Sequence, residues 1–315
     1  MHIVPSPRQL EQQGSQPQSV TMPDFSVIIV NYNTVDFLTT CLRSVLAQTG
    51  ASCEVWVVDN ASADHSVGMV REQFPEVHLL ASPENLGFAK ANNLAAQEAT
   101  GRFIYYLNPD TEVRPGCFAA TLRFMEANPS VGMAGTRLLY PDHTPQDSVE
   151  DSYPGQRYAT GELTGLPGQI AWLLGASLIA RREVVEQVGG FSEDFFLYGE
   201  DIDLSLKVRQ AGWKLGFIPE AEIIHWEGRS ERHTLSIEVL RKKLAAEALF
   251  YRRHYTPATI IRICRANMRQ ARWRLLTLPI ERILAPDKAA VTAKLDRYRL
   301  LLDFFQGLAA EASLS

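Results

Sequence analysis

Three carboxylate positions stand where the chain turns from apolar to polar, and their placement is the first chemical signal in the sequence. Asp59 closes the run VWVVD, Asp110 closes FIYYLNPD, and Glu200-Asp201 with Asp203 opens an amphipathic stretch. Any one aspartate at a strand end reads most simply as a cap for the next helix. Three in one sheet point further, because a rigidly held strand-end carboxylate is an oxygen ligand for a hard cation such as Mg2+ or Mn2+. Other chemistries lack their signatures. Neither G-x-x-x-x-G-K-[ST] nor G-x-G-x-x-G follows any strand-like run, which disfavours a P-loop or a dinucleotide site. The first turn, NYNTVDF, is not the Gly-rich basic loop of a nucleotidyltransferase, and no G-x-S-x-G elbow occurs.

The elements that must hold these residues follow from hydrophobic rhythm. FSVIIV, EVWVV, VHLLA, RFIYYL and VGMAGTRLLY read as strands. The helical stretches DFLTTCLRSVLAQT, HSVGMVREQF, GFAKANNLAAQEA and GCFAATLRFMEAN alternate with them. Such alternation predicts an α/β fold, a mostly parallel sheet with helices on both faces. Ligands of such sheets bind beyond the carboxyl ends of the strands. The candidate segments are therefore Asn31-Tyr32-Asn33, Asp59-Asn60, Ser82 to Asn85, and Asn108-Pro109-Asp110. Residues 141–167 read as an irregular mobile loop over the site, and IAWLLGASLIA as a core run too short to cross a bilayer. The latter part of EDFFLYGEDIDLSLKVRQAGW reads as helix and KLGFIPEAEIIHWEG as a pair of strands. Beyond Ser236, Ile237, Leu240, Leu244, Ala248, Tyr251 and Tyr255 form one apolar helical stripe, which Pro257 interrupts.

The ordered series SVIIVNYN, VWVVDNAS, ENLGFAKANN, YYLNPDTEV, GGFSEDFFLYGEDIDLSLKVRQAGW and IIHWEG, over about residues 24 to 230, resembles family 2 glycosyltransferases of the GT-A fold. Within that family it is most similar to the rhamnosyltransferase-like branch of bacterial surface-polysaccharide synthesis. The resemblance implies an inverting, Mg2+- or Mn2+-dependent enzyme that uses a nucleotide-diphosphate sugar. The donor would be dTDP-rhamnose, with UDP-linked galactofuranose, N-acetylhexosamine or glucose as alternatives, and the acceptor a growing glycan, polyprenyl-linked. A non-catalytic binding protein on the same fold is the other reading. The resemblance places Tyr32 beside the donor's base and Asp59 on its pyrimidine imide N–H. Asn85 and Gly87 fall in the donor-side loop, Gly87 giving the backbone close approach to the ligand. It makes Asp110 the metal-binding carboxylate and His225 a second metal ligand. Asn108 stands where the family often has the first Asp of Asp-x-Asp, so it would contact the ribose or a metal-bound water. In the "ED" pair Asp201 is the general base and Glu200 its support; Asp203 reads as plain helix-dipole acidity, and Ser192, where Asp is common, as affecting only a turn.

Charge divides the 315-residue chain unevenly. From residue 236 onward fifteen lysines and arginines face seven carboxylates, +8, against −13 for the remainder. The expected organisation is a disordered leader over residues 1–23, a catalytic domain over 24–235 and a basic amphipathic helical region over 236–315. Arg262, Arg265, Arg269, Arg272 and Arg274 interleave with Ile260, Ile261, Ile263, Met268 and Trp273, a pattern that fits an anionic membrane surface or a plain solvated face. Nucleic acid is not the expected partner, and a homodimer stays open. Cys41, Cys53, Cys117 and Cys264 form no CxxC, so free thiols in a reducing compartment are expected. The N-terminal residues lack the apolar core of a secretory signal. The resulting expectation is a cytoplasmic protein, peripheral on the inner face of the membrane.

Overall fold

The computed structural model describes residues 22–226, 236–284 and 287–314. Nearly all of the expected leader, and the boundary placed near residue 235, lie outside the described residues. The chain order is β1 (Phe25–Asn31), α1 (Val35–Leu46), β2 (Cys53–Asp59), α2 (Ser66–Gln73), β3 (His78–Ala81), α3 (Phe88–Glu98), β4 (Phe103–Leu107), β5 (Thr111–Val113), α4 (Cys117–Ala127) and β6 (Val131–Leu139). Then follow β7 (Val149–Glu150), β8 (Trp172–Leu173), β9 (Ser177–Arg181), α5 (Arg182–Val188), α6 (Glu200–Gln210), β10 (Lys214–His225), α7 (Ile237–His254), α8 (Pro257–Leu284) and α9 (Lys288–Ala312).

The strands form an eight-stranded sheet in the order β3-β2-β1-β4-β9-β6-β10-β5, with β7 and β8 as a separate two-stranded ribbon. β1 to β4 run parallel and β10 runs parallel to β6; β9 and β5 are antiparallel to their neighbours. All seven residues of β1 are buried, as its unbroken apolar run demands of a strand covered on both faces. Phe25, Val27 and Ile29 meet Leu38, Leu42 and Val45 of α1 and Phe118 and Met125 of α4. Ile28, Val30 and Tyr106 meet α3 and α6 on the opposite face. Cys41 and Cys117 are buried free thiols, and burial pushes both up, Cys117 to about 11.

Three expectations need correction. KLGFIPEAEIIH is not a strand pair but one twelve-residue strand whose register against β6 shifts between Ile218 and Glu222, where Pro219 cannot donate to the ladder. The loop over residues 141–167 is pinned to the C-terminal helices. Tyr255 donates to the Pro154 carbonyl, Arg262 to the Tyr158 carbonyl, and Thr256 and Thr259 to the Glu162 carboxylate. The apolar stripe of α7 holds for Leu240, Leu244, Ala248, Tyr251 and Tyr255, which join Tyr153, Phe195 and Leu206 in a third core, while Ile237 is exposed.

Candidate functional site

β1 and β2 end at the same level, with Asn31 paired to Asp59 in the parallel register. The Asn31 amide donates to Asp59 Oδ2 (2.9 Å) and to the Ser62 hydroxyl (3.0 Å), and the Ser62 N–H donates to Asp59 Oδ1 (3.0 Å). Asp59 is buried and closes a turn; it does not reach α2, whose first N–H, of Ser66, donates to Asp64 instead. Asn33, in the left-handed region at φ 56°, accepts from Ala63 N–H. The two asparagines thus anchor the exit of β1 on both sides of Tyr32, whose side chain stands 50% exposed at the sheet's edge.

Asn60 organises the next loop, a role that sequence reasoning missed. Its buried amide donates to Asn85 Oδ1 (2.9 Å) and accepts from Leu86 N–H (2.7 Å), while Asn85 also accepts from Gly87 N–H (3.0 Å). Asn85 therefore makes a local turn rather than capping α3. Gly87 has φ +78°, and a Cβ there would lie 2.7 Å from the Phe196 carbonyl oxygen. Phe88 N–H donates to that same oxygen (2.9 Å). The close approach that this glycine permits is to the 192–199 loop of the protein itself.

Asp110 and His225 meet through a register that a three-residue strand creates. β5 pairs antiparallel to β10 with Thr111 opposite His225, and the Trp226 N–H donates to the Asp110 carbonyl. His225 Nε2 lies 3.6 Å from Asp110 Oδ1, and Nδ1 lies 3.1 Å from the amide oxygen of buried Gln146. An amide oxygen only accepts, so Nδ1 is the donor of that bond, which turns Nε2 toward Asp110. Gln146 is a second supporting residue absent from the sequence reading, and it comes from the pinned loop. Asn108 N–H donates to the Ala176 carbonyl, while its Oδ1 is buried without a hydrogen-bond partner among the described residues. These groups fit a divalent cation shared with a phosphate ligand: one carboxylate, one imidazole nitrogen turned toward it and an orphaned amide oxygen. No group of three or more metal-ligating side chains occurs among the described residues, so a cation here would take further donors from its ligand.

α6 begins beside this edge after two residues in the left-handed region, Tyr198 (φ 72°) and Gly199 (φ 81°). Asp201 accepts from Gly175 N–H (2.9 Å) and Ile202 N–H (2.8 Å). Gly175 and Ala176 are adjacent, so one short segment holds both the Asp201 carboxylate and the end of the strand leading to Asp110. Burial raises the pKa of Asp201 despite those N–H bonds, and burial together with the Asp201 charge raises that of Glu200. Glu200 Oε2 is likewise buried and unpartnered among the described residues.

Asp203 is not surface helix acidity. It is fully buried and accepts from Ser192 Oγ (2.6 Å) and His254 Nε2 (2.7 Å), with Arg253 at 3.5 Å. Burial opposes its ionisation, yet the bonds from His254 and Ser192 and the Arg253 charge hold the carboxyl below its ordinary value. Ser192, expected to affect only a turn, is thus a ligand of this buried carboxylate. α7 also lays Lys243 over Tyr198, Arg253 over Phe195 and against Asp194, and Ala246 near Gly199. The segment that carries Glu200 and Asp201 is clamped by the C-terminal region, which lies beyond the motif series over residues 24 to 230.

The architecture, with a polar edge built by the ends of β1, β2 and β4, is that of GT-A glycosyltransferases. A mannosyltransferase from Pyrobaculum calidifontis, solved with GDP-Man and Mn2+, aligns with TM-score 0.53 at 19% identity over 94% of this chain and 76% of that one. S. aureus TarS 1-349 with UDP-GlcNAc gives 0.55 at 17% identity over 92% and 89%. A family model described as Glycosyl transferase family 2 matches residues 26–189. The chain is 27% identical over 234 residues to the N-acetylglucosaminyl-diphospho-decaprenol L-rhamnosyltransferase of Mycobacterium tuberculosis, covering 65% of this chain and 76% of that protein. It is 30% identical over 226 residues to the O-antigen biosynthesis protein RfbC of Myxococcus xanthus, covering 67% of this chain and 18% of that longer protein. The chain belongs to glycosyl transferase family 2, and it is an enzyme of that class.

Proposed function

We propose that the chain is an inverting rhamnosyltransferase, moving the sugar from dTDP-rhamnose to a growing, polyprenyl-linked glycan at an anionic membrane surface on the cytoplasmic side. The observation that carries the reading is the convergence, through Gly175 and Ala176, of the Asp201 carboxylate with the strand end bearing Asp110. In this reading Tyr32 and Asp59 receive the base, Asp59 accepting its imide N–H on a remaining lone pair, and Asn85 and Gly87 border the diphosphate sugar. Asp110 and His225 would hold Mg2+ or Mn2+, with Asn108 Oδ1 beside them; when bound, such a cation supplies positive charge against the leaving diphosphate. Asp201 takes the proton of the acceptor hydroxyl as that oxygen attacks the anomeric carbon from the face opposite the diphosphate, so the configuration inverts. Glu200, its pKa raised by burial and by its neighbour, keeps a proton beside Asp201 and spares the edge a second negative charge.

The rhamnosyl donor and lipid-linked acceptor are supported by the name of the mycobacterial relative. The test is thermal stabilisation by dTDP-rhamnose, UDP-sugars and GDP-mannose, each with and without Mn2+, followed by the anomeric configuration of the product. A donor at a hundred times its Kd adds about 2.7 kcal/mol of stability. Stabilisation by a UDP-sugar and not by dTDP-rhamnose would overturn the rhamnosyl assignment and leave transfer standing.

A further inference from the structure

α8 and α9 pack on each other as a long helical hairpin whose distal part has a small core of its own, Leu278 with Val291 and Leu295. The arginines of α8 divide into two sets along that hairpin. Arg262 donates to Tyr158 and Thr160 of the pinned loop, and Arg274 pairs with Glu281. Ile260 and Ile263, which a basic-apolar reading of the whole helix would offer to a partner, are buried in the third core. What remains is one outward face. Residues 265, 269, 272, 276 and 280 recur at helical spacing with Trp273 beside them.

Arg265, Arg269 and Arg272 are exposed and make no ion pair or hydrogen bond among the described residues. Trp273 is 65%, Leu276 71% and Ile280 65% exposed. The carboxylates near this end of the hairpin are already engaged: Glu281 with Arg274, Asp296 with Arg299, and Asp287 as the N-cap of α9. Trp273 lies eleven residues beyond Arg262, about 16 Å along the helix from the loop contacts.

We propose that this face of α8 docks on an anionic phospholipid surface, with Arg265, Arg269 and Arg272 among the headgroup phosphates and Trp273, Leu276 and Ile280 in the interfacial layer. Charge and apolar surface on one helical face together favour this occupant. A nucleic acid would satisfy the arginines and leave Leu276 and Ile280 in water. A second copy packed face to face would bring arginine against arginine with no carboxylate between them. The inference rests on the membrane location proposed above, but lipid binding needs neither donor nor acceptor, so its failure would remove that location and leave sugar transfer standing.

The experiment is flotation of the full chain with phosphatidylglycerol/phosphatidylcholine vesicles and with phosphatidylcholine vesicles, at low salt and without nucleotide or metal. Binding to the anionic vesicles alone is expected. Each arginine near such a surface contributes about fivefold in affinity, so R265Q/R269Q/R272Q should bind about two orders of magnitude more weakly. W273S/L276S/I280S should be lost from the vesicle fraction. Both variants should melt at the wild-type temperature and turn over a soluble acceptor analogue normally, because all six side chains are exposed. Wild-type chain that stays off anionic vesicles, or triple variants that float as well as wild type, would overturn the proposal. So would a dimer that W273S/L276S/I280S converts to monomer without any lipid binding, or tighter binding to duplex RNA than to vesicles.

Discussion

Removing the His254 ring tests the join between α7 and the helix that carries Asp201. His254 Nε2 lies 2.7 Å from Asp203 Oδ1, and the Asp203 side chain is fully buried. Breaking a buried pair by deleting one partner costs about 3–5 kcal/mol, because the remaining charge is left in a poorly polarisable site. Ser192 and Arg253 still reach Asp203 in His254→Ala, which sets the expectation at the low end, about 3 kcal/mol, with the lost packing on Phe250 included. Unfolding entropy of about 2.1 cal/mol/K per residue over the whole chain converts this to a fall in Tm of about 4–5 °C. The sign of the pH dependence follows from the depressed Asp203 carboxyl. Its contribution is present above the unfolded value of about 4 and is lost as pH falls through the lower folded value. The gap between wild type and variant in thermal melts should therefore be full at pH 7 and narrow under acid. Asp203→Leu combined with His254→Leu should be more stable than the sum of the two single changes, since neither leaves a buried group stranded. In steady-state assays kcat should fall in His254→Ala while KM for the donor holds, because α7 clamps the segment that carries Asp201, the proposed base, and not the β1–β2 edge. A Tm shift under about 1 °C, or strict additivity in the double variant, would refute the reasoning.

Three other outcomes follow from the site. Asp201→Asn should lower kcat by about two to four orders of magnitude and leave donor-induced stabilisation intact; in wild type the raised Asp201 carboxyl puts the acid limb of the rate profile above the ordinary aspartate value near about 4, with rate rising as pH rises. Asp110→Ala should abolish any Mn2+-dependent gain in donor stabilisation, measured by calorimetry without turnover, and a retained gain would remove Asp110 from the cation. Gly87→Ala, forced to φ +78° with its Cβ 2.7 Å from the Phe196 oxygen, should cost at least about 2 kcal/mol, whereas Gly116→Ala, at φ +82° with nothing within 4 Å, should cost only about 1 kcal/mol; equal melting temperatures would deny the Phe196 contact.

β1, β2 and β4 were legible in the sequence because strands buried on both faces must be continuous apolar runs, and their polar ends then mark the ligand edge. β10 was misread because Pro219 looks like a break, whereas a register shift absorbs it within one strand. β5 left no signal: three residues carry no period, yet they set the register that brings His225 to Asp110. The importance of Asn60 had a trace, an amide directly after the Asp59 strand end, although nothing local shows that it reaches Asn85. Asp203 was opaque for a different reason. An acid at the fourth position of a helix looks the same whether it faces water or His254, and 51 residues separate that pair. Local pattern reports what a residue does to its own helix and is silent about distant partners.

That silence also explains why NPD looked deficient beside an Asp-x-Asp pair. A buried amide oxygen without a partner costs about 1–3 kcal/mol, so a position that served only the fold would gain from a residue whose polar atoms are satisfied. Asn108 Oδ1 is such an atom, in a strand end whose backbone N–H and C=O are both engaged, by Ala176 and by Thr111. The side chain is therefore held in place by its neighbours and not by its own bonds, which is how a group poised for a ligand is built. A second aspartate there would add charge to an edge already bearing Asp110 and Asp201, and each would raise the others' pKa values. An amide supplies an acceptor without that repulsion, and in the proposed site His225, oriented by Gln146, would supply the second strong donor from outside the motif. On that proposal the missing carboxylate is compensated by a residue more than a hundred positions away, brought to Asp110 through the β5–β10 register.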